Sequence, residues 1–311
     1  MQSTTTASND PTVPVMGYPG AEFYVLHIIG LVSLGLSLSL SIFTQVSLMK
    51  KERTVFTRPI GERLVFYLTI SDLGYCLNHI IDHTWMLAIS YHPPDIPCAI
   101  FASILNLFVF SQSLIVVFTA FNAFMMVVKE IKVELGKYDW KLLLYAYGIP
   151  FSISLGVAIS NHWGPSGAWC FLDKRKPGEK VLSIIVAAAF ITVFFSNIIN
   201  YGLVWMKIKR VSASMATTTS QAKYHRTAKV MMLFVAVYIA QWWAYIGYAI
   251  HGFVEVQPVF WVAVVSTFSN LGGLFNFITY TFVKKNQQNV RDSSSDEGQT
   301  VERRTKSYRR Y

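Results

Sequence analysis

Charge is what this sequence has least of. Only 14% of its 311 residues are Asp, Glu, Lys or Arg, where a soluble domain carries about 25%. That is too little to wet the surface of a soluble globule, and it counts against a soluble enzyme, a nucleic-acid binder or a disordered scaffold. Cysteine is scarce as well. Cys76, Cys98 and Cys170 make up the full set, which excludes a disulfide-rich ectodomain and leaves room for one bridge and one free thiol. Residues 1–23 contain neither Lys nor Arg and no Asn-x-Ser/Thr sequon. Without a basic leader, the first apolar run reads as a membrane helix and not as a signal peptide. No internal repeat and no interdomain linker is detectable.

Apolar residues are abundant. They make up 53% of the chain, with 22 Phe, 16 Tyr and 8 Trp. A bilayer core of about 30 Å needs about 20 apolar residues in a helix. Seven runs meet that length: Tyr24–Met49, Leu64–Ser90, Ala99–Val128, Leu142–Ser160, Val181–Met206, Val230–Phe253 and Val259–Val283. They fill over half the chain, and helices are the expected form. The reading is an all-α membrane protein, a seven-transmembrane helix bundle spanning residues 24–283. Residues 1–23 and 284–311 are expected to be disordered ends.

The net charge of +10 matters through its distribution. The stretches after the first, third, fifth and seventh runs hold 23 of the 27 basic residues; Lys174, Arg175, Lys176 and Lys180 are the rest. The positive-inside rule then puts the N-terminus outside and the C-terminus in the cytosol. On that topology Cys98 and Cys170 both face an oxidising compartment. A bridge between them is expected, with two free thiols as the alternative. Cys76, mid-helix, reads as a packed thiol.

The second run carries a polar stripe. Asp72, His79, Asp82 and His83 fall roughly on one helix face, and ionisable residues inside a bilayer turn toward the bundle interior. Asp72 reads as an intramembrane switch or interhelical lock, with Asn270 and Asn276 as partners. His79-x-x-Asp82-His83 also has ligand-like spacing, but one helix supplies all of it, and no metal or cofactor is expected. Six of the seven histidines lie toward the outer side, which also raises proton sensing. Polar and aromatic residues gather in the later runs. With His79, Asp82 and His83, the residues Gln112, Trp242, Tyr245 and Tyr248 are candidates for a small-molecule pocket; interhelical hydrogen bonding is the alternative for each. The four outer basic residues could meet an anion or be simply solvated. Ser293, Ser294 and Ser295, beside Asp296 and Glu297, are phosphorylation candidates.

Rhodopsin-type marks are missing. The third run ends FNAFMMVVKEIK without Asp-Arg-Tyr, the sixth reads YIAQWWAY without Cys-Trp-x-Pro, and the seventh reads NLGGLFNFITYTF without Asn-Pro-x-x-Tyr. Other stretches resemble a different group: LVFYLTISDL (Leu64–Leu73), YGIP (Tyr147–Pro150), AWCFLD (Ala168–Asp173) and Asn270-Leu-Gly-Gly-Leu-Phe-Asn276. Their order and placement resemble the cyclic-AMP-receptor-like G-protein-coupled receptors of slime moulds and their orphan animal relatives, which lie near the secretin-type receptors. The resemblance covers about residues 24–285. It implies a multi-pass plasma-membrane receptor that senses an extracellular ligand and activates a heterotrimeric G protein, with no enzymatic activity. It carries over neither a peptide-hormone ectodomain nor a cyclic-nucleotide ligand. The expected partners are the lipid bilayer, a G protein and an unidentified, small extracellular ligand, and not nucleic acid. A transporter or channel is the rival reading; it would show paired repeats and interrupted helices.

Overall fold

The computed structural model describes residues 13–50, 54–131, 133–213, 219–251 and 258–285. It is an all-α bundle with seven helices long and apolar enough to cross a membrane. They are α1 (Ala21–Met49), α2 (Ile60–Ile89), α3 (Asp95–Val128), α4 (Lys137–Ile159), α5 (Glu179–Ala213), α6 (Thr219–His251) and α7 (Val259–Lys285). A short hairpin, β1 (Trp163–Pro165) paired antiparallel with β2 (Cys170–Leu172), joins α4 to α5.

Several helices outrun the apolar stretches that announce them. α3 starts four residues before Ala99, and α6 starts eleven before Val230. Hydropathy marks the part that needs lipid, while backbone hydrogen bonding carries the helix on into polar sequence. α2 stops just before Ser90, whose left-handed backbone (φ 60°) turns its N–H onto Met86 O.

α3 is the central post. It packs against α2, α4, α5, α6 and both strands, while α1 closes against α2 and α7. The main core joins Leu64, Ile115, Phe194, Phe234 and Trp242. Exposed Val32, Phe43, Ile159, Ile184 and Phe260 present the opposite, lipid-suited faces. α2 is the most enclosed span, and its stripe is fully turned inward: Asp72, His79, Asp82 and His83 are all buried.

Two backbone devices shape the packing. Leu144–Gly148 forms one π turn just ahead of Pro150. Pro150 has no N–H for the Ala146 carbonyl and its ring would press on it, so the wider turn relieves both. On α7, Gly273 donates its N–H to Ser37 Oγ at 2.6 Å, a backbone approach only glycine permits.

The N-terminal segment differs from the expectation of disorder. Residues 13–20 form turns, Val15 is buried against Phe23 and Met86, and Met16 N–H bonds to Gly167 O at 3.1 Å. An apolar Val-Pro-Val-Met stretch beside the hairpin has a surface to cover. The serines at 293–295 and residues 286–311 of the expected tail lie outside the described residues.

Candidate functional site

Cys98 sits in the first turn of α3 and Cys170 opens β2, and the two are joined in a disulfide that pins the hairpin over one end of the bundle. Buried Trp163 and Leu172 pack around it. A second tether comes from α2, where Asp82 Oδ2 accepts the Cys170 N–H at 3.0 Å. A third is ionic. Arg175 reaches Asp95 Oδ1 at 2.7 Å and both oxygens of Asp173 at 2.9 Å. Burial alone would raise the Asp173 carboxyl, but the Arg175 hydrogen bonds and charge hold it below its ordinary value.

His92 lies beside the disulfide, with a ring nitrogen and both sulfurs within 4.8 Å of one another. With both sulfurs oxidised the trio offers a single ligand, so it is no metal centre. Burial lowers the His92 pKa from 6.5 to about 4, with His27, Lys174 and Arg175 adding to the effect and Asp173 opposing it. The unfolded chain therefore takes up this proton first. The stabilising contribution is whole above pH 6.5 and is lost as pH falls toward about 4. Thermal unfolding across that range should show a falling midpoint that is shallower in His92→Gln; parallel curves would contradict this assignment.

Beneath the hairpin lies a cavity of about 530 Å³, a size suited to a small organic molecule. One wall is aromatic and comes from α5 and α6. Phe190 stands 5.3 Å from Trp242 and 4.9 Å from Tyr245, and Tyr245 stacks on Tyr248 at 6.1 Å. Tyr75 and His79 of α2 form the facing wall, Trp169 and Phe171 the roof, and Lys174, Glu179 and Lys180 also border the space. Four sequence candidates, His79, Trp242, Tyr245 and Tyr248, therefore meet here. Three do not border it. Asp82 is turned to the Cys170 amide; His83 pairs with His27, Nδ1 to Nδ1 at 2.6 Å; Gln112 is drawn to Asp72. Phe190 carried no sequence signal, being one apolar residue among many on its helix.

Below the cavity the polar groups form two clusters, one around Asn270 and one around Asp72. Asn270 Oδ1 accepts the Tyr75 hydroxyl at 2.7 Å and lies 3.3 Å from His79 Nδ1. Nearer the other end, Asp72 accepts Gln112 Nε2 at 2.9 Å and the Asn276 amide. Asn276 is thus an Asp72 partner, as expected, and Asn270 is not. Six residues along a helix span about 9 Å, so the two asparagines meet different turns of α2. Gly272 leaves room for this knot, since a Cβ there would lie 2.6 Å from Asp72 Oδ1.

At the opposite end, Asp139, just before the first α-turn of α4, is buried. It binds Arg63 and accepts the Tyr67 hydroxyl at 2.8 Å. Tyr147 of α4 adds a bond to Tyr67 O at 2.9 Å and faces Ser71 Oγ at 2.9 Å. In the sequence Arg63 counts only as a topology charge; the hint was an acid amid lysines at a helix start.

No protein-family model matches this sequence, and comparison with curated proteins finds no match.

Proposed function

We propose that this chain is a plasma-membrane G-protein-coupled receptor that binds a small extracellular ligand in the cavity under the hairpin and activates a heterotrimeric G protein at the basic end. The observation that carries the reading is the cavity itself. It is aromatic, roofed by a disulfide-pinned hairpin, and joined through His79 and Tyr75 to Asn270 of α7. The order of the motifs from LVFYLTISDL to Asn276 supports the same group. The N-terminus is then outside and the hairpin extracellular, in line with the bias of Lys and Arg.

The contacts support one mechanism. A ligand touching Trp242 on α6 and His79 on α2 interacts differently with two arrangements of the bundle and shifts their populations. The change is felt at α7 through Asn270 and next at Asp72. On the cytoplasmic side the Arg63–Asp139–Tyr67 tie holds the start of α4 against α2. Releasing it frees the basic surface for a partner. The reading involves no catalytic step and no cofactor.

Asp139→Ala should therefore raise ligand-independent G-protein activation severalfold. Heterotrimer dissociation in cells, measured across the main Gα classes at matched surface expression, reads this out. Silence of both wild type and variant in every class, with substrate flux in proteoliposomes, would replace the receptor with a transporter.

A further inference from the structure

Two residues bordering the cavity each carry a buried hydrogen-bonding atom that the protein leaves unpaired, and the two atoms differ in kind. Trp242 is 3% exposed, borders the cavity, and its Nε1–H has no acceptor. An indole nitrogen can only donate. His79, also 3% exposed, borders the cavity from α2. Its Nδ1 faces Asn270 Oδ1 at 3.3 Å, an oxygen that can only accept. The ring proton therefore sits on Nδ1, and Nε2 is a bare lone pair, again with no partner. A buried polar atom without a partner is expensive, and a ligand bringing one donor and one acceptor satisfies both.

Charge completes the pattern. Among the residues bordering the cavity, Lys174 and Lys180 outnumber the one acid, Glu179, whose Oε1 is engaged by Ser183 Oγ at 2.7 Å. Neither lysine has an ion pair among the described residues. Neither Asp72 nor Asp82 of α2 borders the cavity: Asp72 is held by Gln112 and Asn276, and Asp82 gives Oδ2 to the Cys170 amide while its buried Oδ1 stays unpaired. The space between is walled by ring faces, which favour a flat body.

We propose that the cavity binds a flat, ring-bearing organic carboxylate. The carboxylate meets Lys174 and Lys180, the rings lie along the Phe190–Tyr245 wall, a hydroxyl donates to His79 Nε2, and an acceptor atom takes the Trp242 N–H. The one acid bordering the cavity, Glu179, already faces the Lys174 charge, so an amine ligand must compete with that lysine for it. The inference rests on the reading of this cavity as a ligand site, and it does not depend on which protein docks at the other end.

The test uses the full chain in nanodiscs and a matched set of probes: 6-hydroxy-2-naphthoate, its neutral amide, the corresponding naphthylmethylammonium, and 2-naphthoate without the hydroxyl. Binding is measured by calorimetry against empty nanodiscs. The hydroxynaphthoate should bind about tenfold or more tighter than the amide, with the ammonium weakest. Lys174→Ala/Lys180→Ala should bring the carboxylate down to the amide while leaving the amide unchanged, which also shows that the variant is folded. His79→Leu should erase the preference for the hydroxyl and keep the preference for charge. The proposal is overturned if the amide or ammonium equals the carboxylate, if the lysine variant binds the carboxylate normally, or if no probe binds. G-protein coupling is scored separately. Coupling without this binding defeats the ligand class alone, and binding without coupling defeats the receptor reading alone.

Discussion

Gly273→Ala is expected to destabilise the bundle by about 3 kcal/mol, the upper end of the range for overpacking. A Cβ at this position would lie 2.2 Å from Ser37 O and 2.4 Å from Ser41 Oγ. The first of these is backbone inside α1 and cannot swing away. α7 would have to back off, breaking the Gly273 N–H to Ser37 Oγ bond and loosening the Asp72 knot one residue away at Gly272. Gly35 of α1 is the control, because a Cβ there meets nothing within 4 Å. Cys76 is a free, buried thiol and supplies the readout, since a thiol-reactive dye reports its exposure on heating. Gly273→Ala should release the signal at a clearly lower temperature than wild type, and Gly35→Ala should not. Coincident melting of all three would show that α1 and α7 do not approach as described.

The second large effect is at the disulfide. Removing both sulfurs with Cys98→Ser/Cys170→Ser should lower stability by about 2–5 kcal/mol. The bridge closes a 72-residue separation, although the helices between are held by the bilayer, which trims the entropic share. The strand pairing and the Asp82 bond to Cys170 N–H remain in the double variant, so the hairpin should loosen without leaving. Its Trp169 and Phe171 would no longer hold a fixed roof over the cavity. Surface expression and thermal midpoint should both fall, and a reducing agent should reproduce the midpoint shift in wild type without moving the variant. Equal midpoints for wild type and variant would reduce the bridge to a spectator.

The membrane fold was legible because its cause is compositional. Runs of about 20 apolar residues have few other uses, and all seven proved to be helices. The inward turn of Asp72, His79, Asp82 and His83 was legible for the same reason, since burying charge in lipid is costly. Periodicity gives the face of a helix, though, and says nothing of what waits opposite. Gln112 and His79 look alike in sequence, yet one is drawn to Asp72 and the other borders the cavity. The partner of Asp82 is a backbone amide 88 residues away, and a backbone donor leaves no trace in sequence. The pairing of His27 with His83 across α1 and α2, and of Arg63 with Asp139, depends likewise on which helices are neighbours. Pro150 and Gly272-Gly273 could be marked as points of bending or close approach, whereas the π turn and the Ser37 contact required the packing itself.

On the receptor reading, one seven-helix bundle links a cavity at its disulfide end to a partner surface at its basic end. Nucleotide exchange on purified Gα subunits, with the purified chain in nanodiscs, is the deciding measurement. The chain should accelerate exchange on at least one Gα class over empty nanodiscs, more so with Asp139→Ala, and a cavity-filling Ala187→Trp should change that rate without lowering the thermal midpoint. Exchange at the intrinsic rate for every class, with both variants folded, would contradict it.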